Sequence, residues 1–238
     1  MVSYLPTYMF TLLALYVIHT AIQRAWNLNI IYLALATFAI MTGGFIQIAF
    51  YSIPLIFLYS IFIGVFGAET FGKDKKIALY CLVGIILGVM LSAPMLLPFL
   101  AISTDTSKDY IDISSSNIYI AFKSSPILFW RLFSPNAFGF DITLPDPTVG
   151  GINYNESMNA FCGVFSLFLA GYAITLRRSP LVIFWLIIFI GIILIAMTPF
   201  AYLHIVAFGS KPILYNRVTF LLPLAITVMA IIGGLRID

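Results

Sequence analysis

Charge is scarce in this 238-residue chain: Asp, Glu, Lys and Arg together make up 9% of it, against roughly 25% in an ordinary soluble domain. A core of this size needs a polar coat to meet water, and so few charges cannot supply one. Hydrophobic residues make up 62% of the chain and its mean hydropathy is +1.07, which points to lipid as the solvent. The net charge of +3 is too small and too scattered to suggest nucleic acid, and no nucleic-acid partner is expected. There are two cysteines, Cys81 and Cys162, each inside an apolar run. They are expected at different depths, so no disulfide between them is expected. The opening lacks the basic segment of a secretory signal, and the first apolar run is expected to be a retained helix. Also missing are a phosphate-binding glycine loop, a nucleophile elbow and a paired-cysteine metal signature.

What is present is a series of apolar runs. In lipid the backbone must satisfy its own hydrogen bonds, so each run predicts a helix rather than a strand. The runs are Leu5–Ile22, Leu28–Met41, Phe45–Gly67, Ile77–Ile102, Met158–Leu176, Pro180–Thr198 and Val218–Leu235. The second is short for a ~30 Å hydrocarbon core. Gly43-Gly44 breaks the chain before the third, and Pro94 and Pro98 are expected to kink the outer end of the fourth. Ser179 offers an N-cap and Pro180 suits a first helical position. The fold class is therefore all-α, a polytopic transmembrane bundle of about seven helices. Helices one to four fall in residues 1–102, a long extracytoplasmic loop in 103–157, and helices five to seven in 158–238.

Seven crossings put Arg24, Lys73, Lys75, Lys76, Arg177, Arg178 and Arg236 on one side, leaving Lys211 and Arg217 in the short segments of the other. The first set is expected to face the cytoplasm. A start on the outer side without flanking charge, and an end three residues after a helix, lead us to expect a fragment of a longer protein.

The long loop holds six of the nine acidic residues: Asp105, Asp109, Asp112, Asp141, Asp146 and Glu156. Acids gather where water is, and one or two could also act on a substrate at the outer surface. Within the loop, Ser125-Pro126 reads as a helix start. The aromatic stretch Ile127–Phe133 then reads as an interfacial helix with Arg131 among the headgroups. Lys211 and Arg217 bracket the last outer loop, where a cation neutralises a phosphate or snorkels to the headgroups. Gln47 sits near an outer helix end, where its amide can bond a neighbour or a sugar. His19 and His204 have no second ligand at metal-binding spacing, so no metal site is read. No cofactor is evident, and the sequence does not decide whether a divalent metal takes part.

Four segments in order resemble the YfhO-type bacterial membrane proteins, polytopic relatives of the GT-C glycosyltransferases. Gly44-Phe45-Ile46-Gln47 is similar to that family's Gly-His-Pro-Gln helix opening, and Leu96-Leu97-Pro98 to its Leu-Leu-Pro segment. Pro135-Asn136-Ala137-Phe138-Gly139 resembles its Pro-x-x-Phe-Gly element. Tyr154-Asn155-Glu156, followed by Gly163, resembles its Tyr-x-Glu…Gly helix entry. Asn216-Arg217 fits an Arg-bearing loop there. Phe45 and Ile46 stand where the family has His and Pro, and Ala101 where it has Glu. The resemblance implies a GT-C-like bundle in a bacterial cell membrane. It further implies transfer of a sugar from a polyprenyl-phosphate donor to an envelope glycan acceptor, a wall polymer or lipoteichoic acid. It assigns Glu156 or Asp146 as the catalytic acid candidates. Arg217, Lys211, Gln47 and Arg131 become substrate-binding candidates, with membrane lipid as a further partner. The family's essential acid lies upstream of anything matched here, so the longer family member is expected to be the enzyme and this chain alone inactive.

Two other classes compete. A catalytically silent scaffold or truncated copy fits the altered Phe45, Ile46 and Ala101 positions. A lipid or solute transporter fits the helix breaks at Gly43-Gly44 and Pro94/Pro98. No acidic or basic residue lies deep within a predicted helix, which weighs against ion-coupled transport.

Overall fold

The computed structural model describes residues 5–21, 26–43, 46–71, 76–106, 162–176, 179–197 and 215–235. Among these residues there are seven α-helices and no strand. In chain order they are α1 (Leu5–Ala21), α2 (Trp26–Thr42), α3 (Ile46–Phe71), α4 (Lys76–Thr106), α5 (Val164–Leu176), α6 (Pro180–Met197) and α7 (Leu222–Gly234). A 3-10 helix, Tyr215–Leu221, leads into α7. The stretches Ile48–Phe66 in α3 and Ala78–Pro98 in α4, of 19 and 21 residues, are long and apolar enough to cross a membrane. The other five helices carry shorter apolar stretches.

The chain divides into two compact units, Met1–Thr106 and Ser107–Asp238. In the first, α2 packs most extensively on α4 and on α1, and α3 packs on both α4 and α1. Side-chain pairs give the directions. Thr11 meets Ser52 and His19 meets Tyr59, so α1 and α3 run parallel. A Cβ at Gly84 would touch Leu33, and one at Gly88 would touch Thr37, so α2 and α4 also run parallel. Gly43, just past the end of α2, lies beside Thr7 near the start of α1, and Gly64 of α3 beside Ala78 of α4. These adjacent helices are therefore antiparallel, and the unit is an up-and-down four-helix arrangement.

Its closest seam is Gly84-xxx-Gly88 on α4 against α2. A Cβ at Gly88 would stand 2.5 Å from both Ala34 O and Thr37 Cβ, closer than such atoms pack. Small residues four apart let two backbones approach, which is how helices associate where lipid tails are as apolar as leucine. Ala14, Ile18, Leu33, Ile40 and Ile56 fill the interior, while Leu12, Tyr16, Ile31, Leu35, Leu58, Val83 and Leu87 stand on the outside.

In the second unit α7 packs on α5 and α6, and the 3-10 helix lies against α6. Gly233 meets the carbonyl of Leu169 and the Cβ of Ala173. Ala170, Ala173, Val182, Trp185, Leu222, Leu224 and Met229 are buried. Trp185 sets its ring edge-on to Phe184, with centroids 5.4 Å apart.

Several helix bounds differ from the sequence reading for identifiable reasons. The run from Met158 was expected to be helical throughout, but Gly163 has φ +92°. That left-handed backbone cannot continue an α-helix, and α5 starts at Val164. At the other end, Pro223 occupies the first turn of α7, where its missing N–H costs nothing. The preceding Val218–Leu221, expected as α-helix, is the tighter 3-10 form. The fourth helix continues past Pro94 and Pro98 to Thr106, four residues beyond the expected end. The start of α6 is as expected, with Val182 N donating to Ser179 Oγ at 3.3 Å. The expected interfacial helix of the long loop lies outside the described residues.

Candidate functional site

Of the six candidate site residues, Gln47 falls in the first turn of α3 and Arg217 in the 3-10 helix before α7. The backbone position is all that is described for either. Arg131, Asp146, Glu156 and Lys211 lie outside the described residues. No two of the six share a described element.

The polar chemistry that is described runs along the α1–α3 seam of the first unit. Thr11, fully buried, donates to Thr7 O at 2.7 Å, and its Oγ1 lies 2.9 Å from Ser52 Oγ. The first bond returns a helical hydroxyl to the carbonyl four residues back, as Thr commonly does. The second crosses to α3 and holds two parallel helices in register. Two turns further along α1, His19 Nδ1 and Tyr59 Oη share a hydrogen bond of 3.1 Å. Tyr59 is buried, whereas His19 is exposed. The aromatic series continues on α3 from Tyr59 to Phe62 to Phe66, with centroids 6.2 and 5.2 Å apart.

Other hydroxyls are spent within their own helices. Ser60 donates to Phe57 O and Ser92 to Val89 O, each at 2.7 Å. Thr7 Oγ1 and Thr37 Oγ1 are buried with no hydrogen-bond partner. Where α1, α2 and α4 meet near His19, a cavity of about 10 Å³ is lined by Val17, Ile18, Asn29, Ile30, Leu33, Tyr80 and Cys81. That is the room one water molecule needs, far below the ~300 Å³ of a small-molecule site. Both Cys81 and Cys162 are free thiols.

This arrangement contains hydroxyls, one imidazole, two phenols and an amide, with no carboxylate among the described groups. It can fix helices against one another. It lacks a carboxylate placed to take a proton from an acceptor hydroxyl. Among the described residues no three His, Cys, Asp or Glu side chains converge to hold a metal ion. The Thr11–Ser52 link escaped the sequence reading, although Thr7 and Thr11 stand one helical turn apart in an apolar run. That spacing places both on one face, and a hydroxyl pair in an apolar helix favours an orientation where buried polar partners are met.

The chain matches no family model, no curated protein and no solved structure.

Proposed function

We propose that this chain is a multi-pass membrane protein, and more finely the donor- and acceptor-binding part of a GT-C-like glycosyltransferase of the bacterial cell envelope. The observation that carries the finer reading is the shared order of motifs. The Gln47 helix opening, Leu96-Leu97-Pro98, Pro135 to Gly139, Tyr154-Asn155-Glu156 and Asn216-Arg217 follow one another as in the YfhO-type proteins. The outward Leu, Ile and Phe side chains of the first unit support the membrane reading, because a water-facing surface would not carry them on every helix.

The reaction would proceed at the outer membrane surface. An acceptor hydroxyl attacks the anomeric carbon of a polyprenyl-phosphate sugar, its proton passes to Glu156 or Asp146, and the bond from that carbon to the phosphate oxygen breaks. Polyprenyl phosphate leaves with the electron pair, and Arg217, assisted by Lys211, neutralises the charge that collects on it. Gln47 and Arg131 would contact the sugar and the headgroup.

The test is carrier binding by the full chain in lipid nanodiscs, which does not depend on turnover. A polyprenyl phosphate should bind at least about tenfold tighter than the uncharged polyprenol, since a charge-assisted bond to arginine contributes on the order of 1.5–3 kcal/mol. Arg217→Ala should erase most of that difference. Equal binding of phosphate and alcohol, or an unchanged preference in Arg217→Ala, would remove the glycosyltransferase reading. A silent scaffold is the second reading. What favours it is that Thr11, Ser52, His19 and Tyr59 engage one another, leaving the seam committed to helix packing.

A further inference from the structure

The 3-10 helix Tyr215–Leu221 is seven residues long, whereas such runs rarely exceed about four residues. It packs against α6 and α7. Val218, Thr219 and Leu221 are at most 4% exposed, and Leu222, the first residue of α7, is fully buried. With three residues per turn, positions three apart line up along one edge. Val218 and Leu221 share one edge, Thr219 and Leu222 the next, and both edges are buried. Arg217 and Phe220 fall on the third edge, where Phe220 is only half-buried. At a rise of about 2.0 Å per residue the two positions stand about 6 Å apart along the axis. In an α-helix they would lie about 60° apart around it, so the 3-10 form is what aligns them.

A cationic residue and a half-open aromatic one turn apart on one edge match a ligand of two parts. Arginine suits a phosphate, and the ring suits the apolar chain that leaves the phosphate ester. A free phosphate offers the ring nothing to bury. We propose that Phe220 is a specificity-determining residue, which packs on the first carbons of a lipid phosphate while Arg217 holds the phosphate itself. Val218, Thr219 and Leu221, buried beside them, keep the two in register. This rests on the reading of Arg217 as the phosphate partner and adds to it what tells a lipid-borne phosphate from a free one.

Two short phosphate monoesters of equal charge provide the test. They are titrated against the full chain in phosphatidylcholine nanodiscs, with partition into empty nanodiscs subtracted. Geranyl phosphate should bind at least about tenfold tighter than methyl phosphate, because only its chain withdraws substantial apolar surface from water. Phe220→Ala should lower that ratio at least about threefold, and Phe220→Leu, which keeps a large apolar side chain, should retain most of it. An unchanged ratio in Phe220→Ala overturns the role of Phe220, and the carrier reading stands as long as Arg217→Ala weakens both esters. Parallel weakening of both esters by Phe220→Ala also overturns it, since the ring would then serve the fold around Arg217. If neither ester binds the wild-type chain, or if Arg217→Ala weakens neither, the carrier reading falls and the role of Phe220 falls with it.

Discussion

The two units join their helices by different means. In the first, a glycine seam on α4 is accompanied by side-chain hydrogen bonds that cross from α1 to α3. In the second, α5 meets α7 through Gly233, Leu169 and Ala173. There α6 is the most uniformly apolar of the described helices, built from Pro180-Leu181-Val182-Ile183-Phe184-Trp185 onward. On the proposed membrane reading, apolar side chains gain little by leaving lipid for a protein interior, so apolarity alone cannot specify which helix faces which. Close backbone approach and hydrogen bonds must do so. Among the described residues the first unit shows both kinds of specification, and the second shows a close approach around Gly233.

The sharpest way to break that comparison is to fill the two close approaches. A methyl group at Gly88 would overlap Ala34 O and Thr37, and one at Gly233 would overlap the Leu169 carbonyl. Neither obstacle is the tip of a flexible side chain, so the helices must separate. Gly88→Ala and Gly233→Ala should each cost about 1–3 kcal/mol, the usual range for overpacking, with larger side chains worse. Denaturant unfolding in detergent, in a background carrying Trp26→Phe and Trp130→Phe so that Trp185 alone reports, reads the second unit. Gly233→Ala should shift that transition, and Gly88→Ala should leave it nearly in place. A common shift for both variants would mean that the units unfold as one body.

A smaller effect is expected at the hydroxyl link. Thr11→Val keeps the shape but removes the hydroxyl that bonds Ser52. Interhelical hydrogen bonds in membrane proteins average about 0.6 kcal/mol and reach about 1.7 kcal/mol in double-mutant cycles. Because both hydroxyls are fully buried, a cycle with Ser52→Ala should give a coupling in that interval. A coupling of zero would show that α1 and α3 are aligned by packing alone.

How much of this was legible in the sequence follows from which interactions are local. Lipid leaves a helix as the only way to satisfy a lone backbone segment, so helix existence could be read from apolar runs, and the Ser179-Pro180 start of α6 from its own chemistry. The late start of α5 depended on the φ of Gly163, which no composition reveals. The 3-10 form before α7 has no signature in the composition of Tyr215–Leu221. Which helices touch was not readable at all, because Gly84-xxx-Gly88 fits any small-residue partner and only the fold selects Ala34 and Thr37 of α2. The site was less legible still. Gln47 and Arg217 fall at the openings of described helices, and the acids that the resemblance names lie beyond the described residues.

The smallest expected effect is at the glycines that have room. Around Gly171 of α5 and Gly191 of α6, a Cβ would meet nothing within 4 Å, so neither position shares the reason for glycine found at Gly88 and Gly233. In an unobstructed helix interior, glycine is roughly 0.5–1 kcal/mol less favourable than alanine, through backbone entropy. Gly171→Ala should therefore be neutral or stabilising by up to about that amount, opposite in sign to Gly233→Ala in the same unit. The contrast removes composition as the cause, since the same substitution is made on two helices of one unit and only the neighbour differs. If Gly171→Ala instead destabilises by an amount comparable to Gly233→Ala, then something packs against the outward face of α5. Its Phe168 and Tyr172, exposed on either side of Gly171, would be the next side chains to truncate in locating that partner.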